Sequence, residues 1–273
     1  MSVEDLTELI AGGGVVAVTG AGLSTGAGLP DYRGSGGAEA PSVDYDMFIS
    51  SPMWQRWVWQ RNQESWKALE ALPPSRGHEI LAGWEREGII LGTATQNVDG
   101  LHFKAGSEKV AEMHGSFTRV VCLHCETITP RSELDARLRE LNPNTKDDPD
   151  PKNVAILAEA QPEEAKRSTF KVAPCDRCGG PLKPDIVFFG DGVHAIDQAF
   201  DYAREARTLL VLGTSLKVMT GMWVVTQGLS SGADLAIINK GPTVADRMAD
   251  IRLNSPIDST LEEINQRLNG SHK

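Results

Sequence analysis

Five short runs rich in Val, Ile and Leu, bounded by Gly, Asn or Asp, constrain this chain more than any other feature: Val15–Thr19 and residues 89–95, 186–189, 209–212 and 235–238. Continuous apolar runs of this length suit strands buried on both faces, so they predict a parallel sheet covered by helices on each side. Helical patterns at 78–87 and 196–206 supply the covering layers. The alternation predicts an α/β chain built on a Rossmann-like doubly wound parallel sheet. Two stretches break the rhythm. Residues 41–74 carry Trp54, Trp57, Trp59 and Trp66 at mostly helical spacing, which predicts an inserted helix pair packed on the main domain. The alternative is a rim for an apolar substrate. Residues 118–183 hold every cysteine and form a smaller lobe, in which 142–152, rich in Pro, Asn and Asp, reads as an exposed loop. The division expected is therefore 1–40, 75–117 and 184–273 for the main domain, 41–74 for the insert and 118–183 for the lobe.

The first run leads into Gly20-Ala21-Gly22-Leu23-Ser24-Thr25-Gly26. Glycines at a strand-to-helix turn let backbone N–H groups approach a pyrophosphate, which the following helix start favours electrostatically. The dehydrogenase fingerprint G-x-G-x-x-G would place its third glycine at Thr25, and no acidic ribose-binding residue closes a second strand about 20 residues on. A hydride-transfer enzyme is disfavoured, while a dinucleotide ligand stays in place. Cys122-x-x-Cys125 and Cys175-x-x-Cys178 suit one tetrahedral Zn²⁺ held by four thiolates. Such a site has no open coordination position, so the ion would be structural; the alternative is two unrelated cysteine pairs.

The loop continues Gly28-Leu29-Pro30-Asp31-Tyr32-Arg33, and together the two segments resemble the sirtuin loop, GAG-x-S followed by G-I-P-D-F-R. Thr95-Gln96-Asn97-Val98-Asp99-Gly100-Leu101-His102 matches the family's T-Q-N-I/V-D-x-L-H, and Glu112-Met113-His114-Gly115-Ser116 is similar to E-L-H-G-S. Gly213-Thr214-Ser215-Leu216-Lys217-Val218, Ile238-Asn239 and Phe188-Phe189-Gly190-Asp191-Gly192 are the counterparts of further family segments. The resemblance runs from about Val15 to Asn254 and looks closest to class II, the group whose animal member is mitochondrial.

The resemblance implies an enzyme that uses NAD to remove acyl groups from protein lysines, releasing nicotinamide and O-acyl-ADP-ribose. It assigns His114, Asn97 and Asp99 to catalysis, with His114 as general base, a role suited to an imidazole that titrates near neutral pH. The co-substrate would meet Gly20, Ala21, Gly22, Ser24, Asp31, Tyr32, Arg33, Gln96, Asn97, Val98 and Asp99. Its adenosine half would lie against Gly213, Thr214, Ser215, Asn239, Lys240, Gly241 and Ile257. Tyr32 would act as a movable lid. The acyl-lysine peptide would add as a strand between Phe189, Gly190, Asp191, Gly192 and Val218. Three departures stand out. Asp191 replaces the usual Glu, Thr220 stands where many relatives have Pro, and Val58 and Arg61 occupy the Tyr-x-x-Arg pair of desuccinylating members. Protein mono-ADP-ribosyl transfer and non-catalytic NAD sensing remain as alternatives.

With 27 Lys and Arg against 37 Asp and Glu, the net charge of −10 argues against a general nucleic-acid binder. No run approaches the roughly 20 apolar residues of a membrane span, and the acidic residues 1–10 do not resemble a targeting signal. The expected location is the cytoplasm and the expected partners are acylated proteins, with neither nucleic acid nor membrane.

Overall fold

The computed structural model describes residues 2–31, 41–154 and 159–270. Its strands, in chain order, are β1 (Val15–Thr19), β2 (Ile90–Thr95), β3 (Val110–Glu112), β4 (Gly115–Cys122), β5 (Ile128–Pro130), β6 (Leu182–Ile186), β7 (Thr208–Leu212), β8 (Asp234–Ile238) and β9 (Ile251–Leu253). Six of them form one sheet in the order β3-β2-β1-β7-β8-β9, with every neighbouring pair parallel. The chain starts near the centre at β1, moves outward to β3, and resumes on the other side of β1 at β7. The order therefore reverses between β1 and β7, where open α/β sheets bind ligands beyond the carboxyl ends of their strands.

Every residue of β1 and β7 is buried, because each strand packs on both faces. Val15, Ala17, Leu210 and Leu212 meet Leu6, Leu81, Trp84 and Leu261 from helices Val3–Ala11, Arg76–Arg86 and Ile257–Gly270. Val16, Val18, Leu209 and Val211 face the opposite way, toward Ala199, Ala203 and Val224 from helices Ile196–Glu205 and Met219–Ser230. Burying one such side chain contributes about 1.5–3 kcal/mol.

The second sheet is antiparallel, in the order β5-β4-β6. Here one expectation is corrected: residues 186–189 are not a strand of the parallel sheet. β6 ends at Ile186 and pairs with β4, after which Phe188 turns into the core and Phe189 is 61% exposed. A four-residue apolar run does not separate a central strand from a strand end followed by a loop that buries one aromatic ring. This sheet begins at Gly115, so it extends past the expected start of the lobe.

The insert is a helix pair, Tyr45–Ser50 and Pro52–Ala71. Trp54, Trp57 and Trp66 share a core with Val98, Phe117 and Phe188, while Trp59 enters the lobe's core and donates its indole N–H to the Leu182 carbonyl at 2.9 Å. The fully buried Arg131 guanidinium lies 5.7 and 4.9 Å from the ring centroids of Trp59 and Trp66 and donates to Asn62 and Gln63. Insert and lobe are thus fastened by cation–π contact and hydrogen bonds in a dry setting. The stretch 142–152 is a loop that runs into the short 3₁₀ turn Pro151–Asn153.

Candidate active site

A cavity of about 1050 Å³ opens beyond the carboxyl ends of the central strands. Each strand delivers part of its wall: Gly20, Ala21 and Gly22 follow β1, Gln96, Asn97 and Val98 follow β2, Gly213, Thr214 and Ser215 follow β7, and Asn239 and Lys240 follow β8. The volume lies at the top of the range for sites that enclose a cofactor-sized molecule. Gly213 has φ +63°, and a Cβ there would stand 2.4 Å from the Leu23 nitrogen. The loops after β1 and β7 therefore meet backbone to backbone, joined by the Gly22 N–H donating to the Gly213 carbonyl at 2.8 Å. This leaves a surface of main chain, which suits the close approach of a pyrophosphate.

Behind that wall lies a buried polar network. The Asn97 side-chain amide donates to the Gly20 carbonyl and to the Ser24 hydroxyl, both at 3.1 Å. Ser24 in turn donates to one Asp99 oxygen at 2.7 Å, and the other Asp99 oxygen accepts from the Leu101 N–H at 2.9 Å. Ser24 and Asp99 are buried and do not line the cavity, so they act on it through Asn97. Beneath them His102 contacts the Thr19 hydroxyl at 3.0 Å, and its ring packs edge-on against His78. Burial pushes His102 well below the ordinary histidine range, and it holds His78 down to about 4, so both rings stay neutral.

His114 follows β3 and reaches the cavity wall between Gln96 and Thr220. Its Nδ1 lies 3.0 Å from the Gln96 carbonyl and its Nε2 lies 2.8 Å from the Thr220 hydroxyl. A carbonyl only accepts, so Nδ1 carries the proton and Nε2 presents a lone pair. Burial lowers the pKa of His114, an effect the Gln96 carbonyl partly offsets. Gly115 has φ +75°, and a Cβ there would meet the Asp185 carbonyl at 2.0 Å, so only glycine brings β4 this close to the end of β6. Arg119 braces the same corner by donating to both Glu112 and Asp185. Burial raises the pKa of Glu112, against the opposing pull of the Arg119 charge.

On the expected peptide side, Phe189, Gly190 and Val218 line the cavity. Asp191 and Gly192 do not; Asp191 instead pairs with the buried Lys183 ammonium at 2.9 Å and accepts from the Gly192 N–H. The acidic residue thus anchors the loop. Asp31 and Ile257 line the cavity, whereas Gly241 sits beside it, its N–H held by Asn254. Tyr32 and Arg33 lie outside the described residues. No described residue of 41–74 lines the cavity, and Arg61 is turned to Glu64 and over the Trp57 ring. The packing reading of the insert is therefore the one that fits, and the rim reading is not. Thr220, Lys217 and Asp258 line the cavity without having been expected there. Thr220 was signalled in the sequence by its departure from Pro, while Asp258 lies past the last matched motif.

Away from the cavity, the Sγ atoms of Cys122, Cys125, Cys175 and Cys178 all lie within 4.8 Å of one another. Two of the spacings are 3.4 and 3.8 Å, close to the roughly 3.8 Å that a tetrahedron of Zn–S bonds of about 2.3 Å imposes. The N–H groups of His124 and Gly180 each point at a sulfur two residues earlier, at 3.4 Å. Four converging thiols with these turns fit one Zn²⁺ and leave no ligand position for a substrate.

Comparison with known proteins bears on this arrangement. Residues 20–220 match the Sir2 family. The chain is 39% identical to NAD-dependent protein deacetylase 1 of Streptomyces coelicolor, with 96% of this chain and 89% of the relative covered. It is 38% identical to the human NAD-dependent protein lipoamidase sirtuin-4, mitochondrial, over 88% of this chain and 78% of that one. Among solved structures, a Sir2 protein in complex with the inhibitor EX-527, 2′-O-acetyl-ADP-ribose and a deacetylated p53 peptide superposes with a TM-score of 0.75 at 26% identity. That alignment covers 99% of this chain and 100% of the other.

Proposed function

The chain belongs to the Sir2 family, and from that premise we propose that it removes acyl groups from protein lysines at the expense of NAD. The observation that supports this most is the shared cavity. A neutral imidazole with its Nε2 lone pair in the wall faces the same space as the main-chain surface after β1 and β7. Bound NAD supplies an activated ribose C1′ for the acyl oxygen, nicotinamide as leaving group and a ribose hydroxyl that takes over the acyl group. The protein's part is to position, to exclude water and to move one proton.

Gly20, Ala21, Gly22 and Gly213 accommodate the pyrophosphate, and Asn239, Lys240 and Ile257 receive the adenosine end. Asn97, fixed by Gly20 and Ser24, and Asp31 confine the nicotinamide end, while Asp99 holds Ser24 from behind. His114 accepts the ribose proton. Phe189, Gly190 and Val218 flank the acyl-lysine strand, so recognition through the peptide backbone makes acylated proteins its partners. Ile186, Val187, Phe188 and Val193 line part of the cavity, and the Val187 N–H donates to the His114 carbonyl, an apolar stretch that favours an uncharged acyl group. One Zn²⁺ held by Cys122, Cys125, Cys175 and Cys178 keeps the lobe folded and takes no part in the chemistry. Among the described residues no helix is long and apolar enough to cross a membrane, and the cytoplasm is the proposed location.

The test is His114→Ala. Deacylation of an acetyl-lysine peptide falls by at least about 10²-fold, the usual worth of a general base, while NAD binding persists. Near-normal deacylation by a folded variant contradicts the assignment.

A further inference from the structure

The lone pair that a ribose hydroxyl has to reach is already engaged. Nε2 of His114 faces the Thr220 hydroxyl at 2.8 Å. The direction of that bond follows from its neighbours. The Leu216 N–H donates to the Thr214 hydroxyl, which leaves that hydroxyl to donate its own proton to Oε1 of Gln96 at 2.8 Å. The amide orientation of Gln96 is fixed accordingly, and its Nε2 donates to the Val218 carbonyl at 3.3 Å and to the Thr220 hydroxyl at 3.1 Å. Thr220 accepts there, so its own proton points at Nε2 of His114. At the other side of the ring, Nδ1–H donates to the Gln96 carbonyl. Every proton in this network has an acceptor, and the oxygen in contact with Nε2 of His114 keeps unused capacity: a hydroxyl oxygen has two lone pairs, and Gln96 occupies only one on Thr220. Thr220 also belongs to the cavity wall.

We propose that the Thr220 hydroxyl relays the proton from the ribose hydroxyl to His114, which does not meet the ribose directly. Thr220 Oγ1 takes the ribose proton on its second lone pair as its own proton passes to Nε2. One O–H bond breaks and one forms at Thr220, which emerges unchanged. The ribose oxygen keeps its electron pair for attack on the acyl carbon, and the imidazolium is stabilised by the Gln96 carbonyl. The proposal rests on His114 being the base. It also gives Gln96 a task, since its amide turns the Thr220 proton toward the imidazole.

The test compares Thr220→Val, which keeps shape and removes the hydroxyl, with Thr220→Ser, which restores it. Gln96 retains the Val218 carbonyl in either case, and melting temperature and zinc content check the fold. Imidazole ¹⁵N NMR of the NAD-free protein gives a readout independent of turnover. His114 is the Nδ1–H tautomer in the wild type, and in Thr220→Val its Nε2 resonance shifts and titrates at higher pH, because the bond to the neutral form is gone. Single-turnover deacylation falls by about 10² in Thr220→Val, and Thr220→Ser recovers at least tenfold of it. Nicotinamide exchange, which precedes the proton transfer, stays within about threefold. The solvent-isotope dependence of the single-turnover rate is curved in the wild type, as two moving protons require. An unchanged ¹⁵N spectrum, wild-type deacylation by Thr220→Val, parallel loss of exchange, or a linear isotope dependence each overturns the relay. His114→Ala is run alongside: if it deacylates normally, the base assignment fails, whereas an inactive His114→Ala beside a fully active Thr220→Val removes the relay alone.

Discussion

Asp99→Ala separates a residue that acts through the wall from one that touches the co-substrate. In the folded protein the carboxylate accepts one bond from the Ser24 hydroxyl and one from the Leu101 N–H, and it is 3% exposed. Hydrogen bonds to a charged group contribute about 1.5–3 kcal/mol each. Removing both also removes a buried charge, and bonds that share a partner are not additive, so the net loss is about 3 kcal/mol. Unfolding entropy of roughly 2.1 cal/mol/K per residue over 273 residues converts this to a fall in Tm of roughly 5 °C. Asp99→Asn keeps an acceptor for Leu101 but presents N–H to a Ser24 hydroxyl that already accepts from Asn97, and loses about half as much. Because Ser24 holds Asn97, NAD affinity falls together with stability in both variants. The assay is thermal unfolding read beside NAD titration. A drop in NAD affinity in Asp99→Ala with Tm within about 1 °C of wild type would refute the reasoning and put Asp99 in direct contact with the co-substrate.

Cys175→Ser abolishes stoichiometric zinc by elemental analysis and unfolds the lobe first, because one lost thiolate opens a site whose metal contributes folding free energy; a zinc-free wild-type protein of full activity contradicts this. His78, held down to about 4 by burial, makes the folded state refuse a proton that the unfolded chain takes at 6.5. That contribution is complete above pH 6.5 and shrinks by up to about 3 kcal/mol as pH falls to 4, and His78→Asn flattens the fall in urea unfolding. His114 is also lowered by burial, so the acid limb of kcat/KM lies below the ordinary histidine range; a limb above pH 7 contradicts a buried neutral base. Succinyl-lysine peptide is turned over more slowly than acetyl-lysine peptide, since Arg61 is committed to Glu64 and Ile186, Val187, Phe188 and Val193 give the cavity an apolar stretch.

Four of the five apolar runs became strands of the parallel sheet within one residue of their expected ends, because burial on both faces writes an unbroken Val/Ile/Leu pattern. The run 186–189 misled because its apolar character serves two surroundings, a strand end and an aromatic anchor for the insert. β3 and β9 gave no signal: each is three residues long, and edge strands of that length are set by their neighbours. In the site, residue types and spacing pointed to the cavity wall and the four thiols. They did not show that Ser24 and Asp99 stand behind Asn97, since which face a loop side chain takes depends on long-range packing. Thr220 was visible as a departure, yet its bond to His114 spans 106 positions and exists only once the sheet is assembled.

The most direct measurement is mass spectrometry of the products formed from NAD and an acetyl-lysine peptide by the purified zinc-bearing protein. Deacetylated peptide, nicotinamide and O-acetyl-ADP-ribose in equal amounts are expected. ADP-ribose attached to a protein acceptor, or no NAD consumed with acetyl-, lipoyl-, succinyl- and long-chain acyl-lysine peptides alike, would contradict the account.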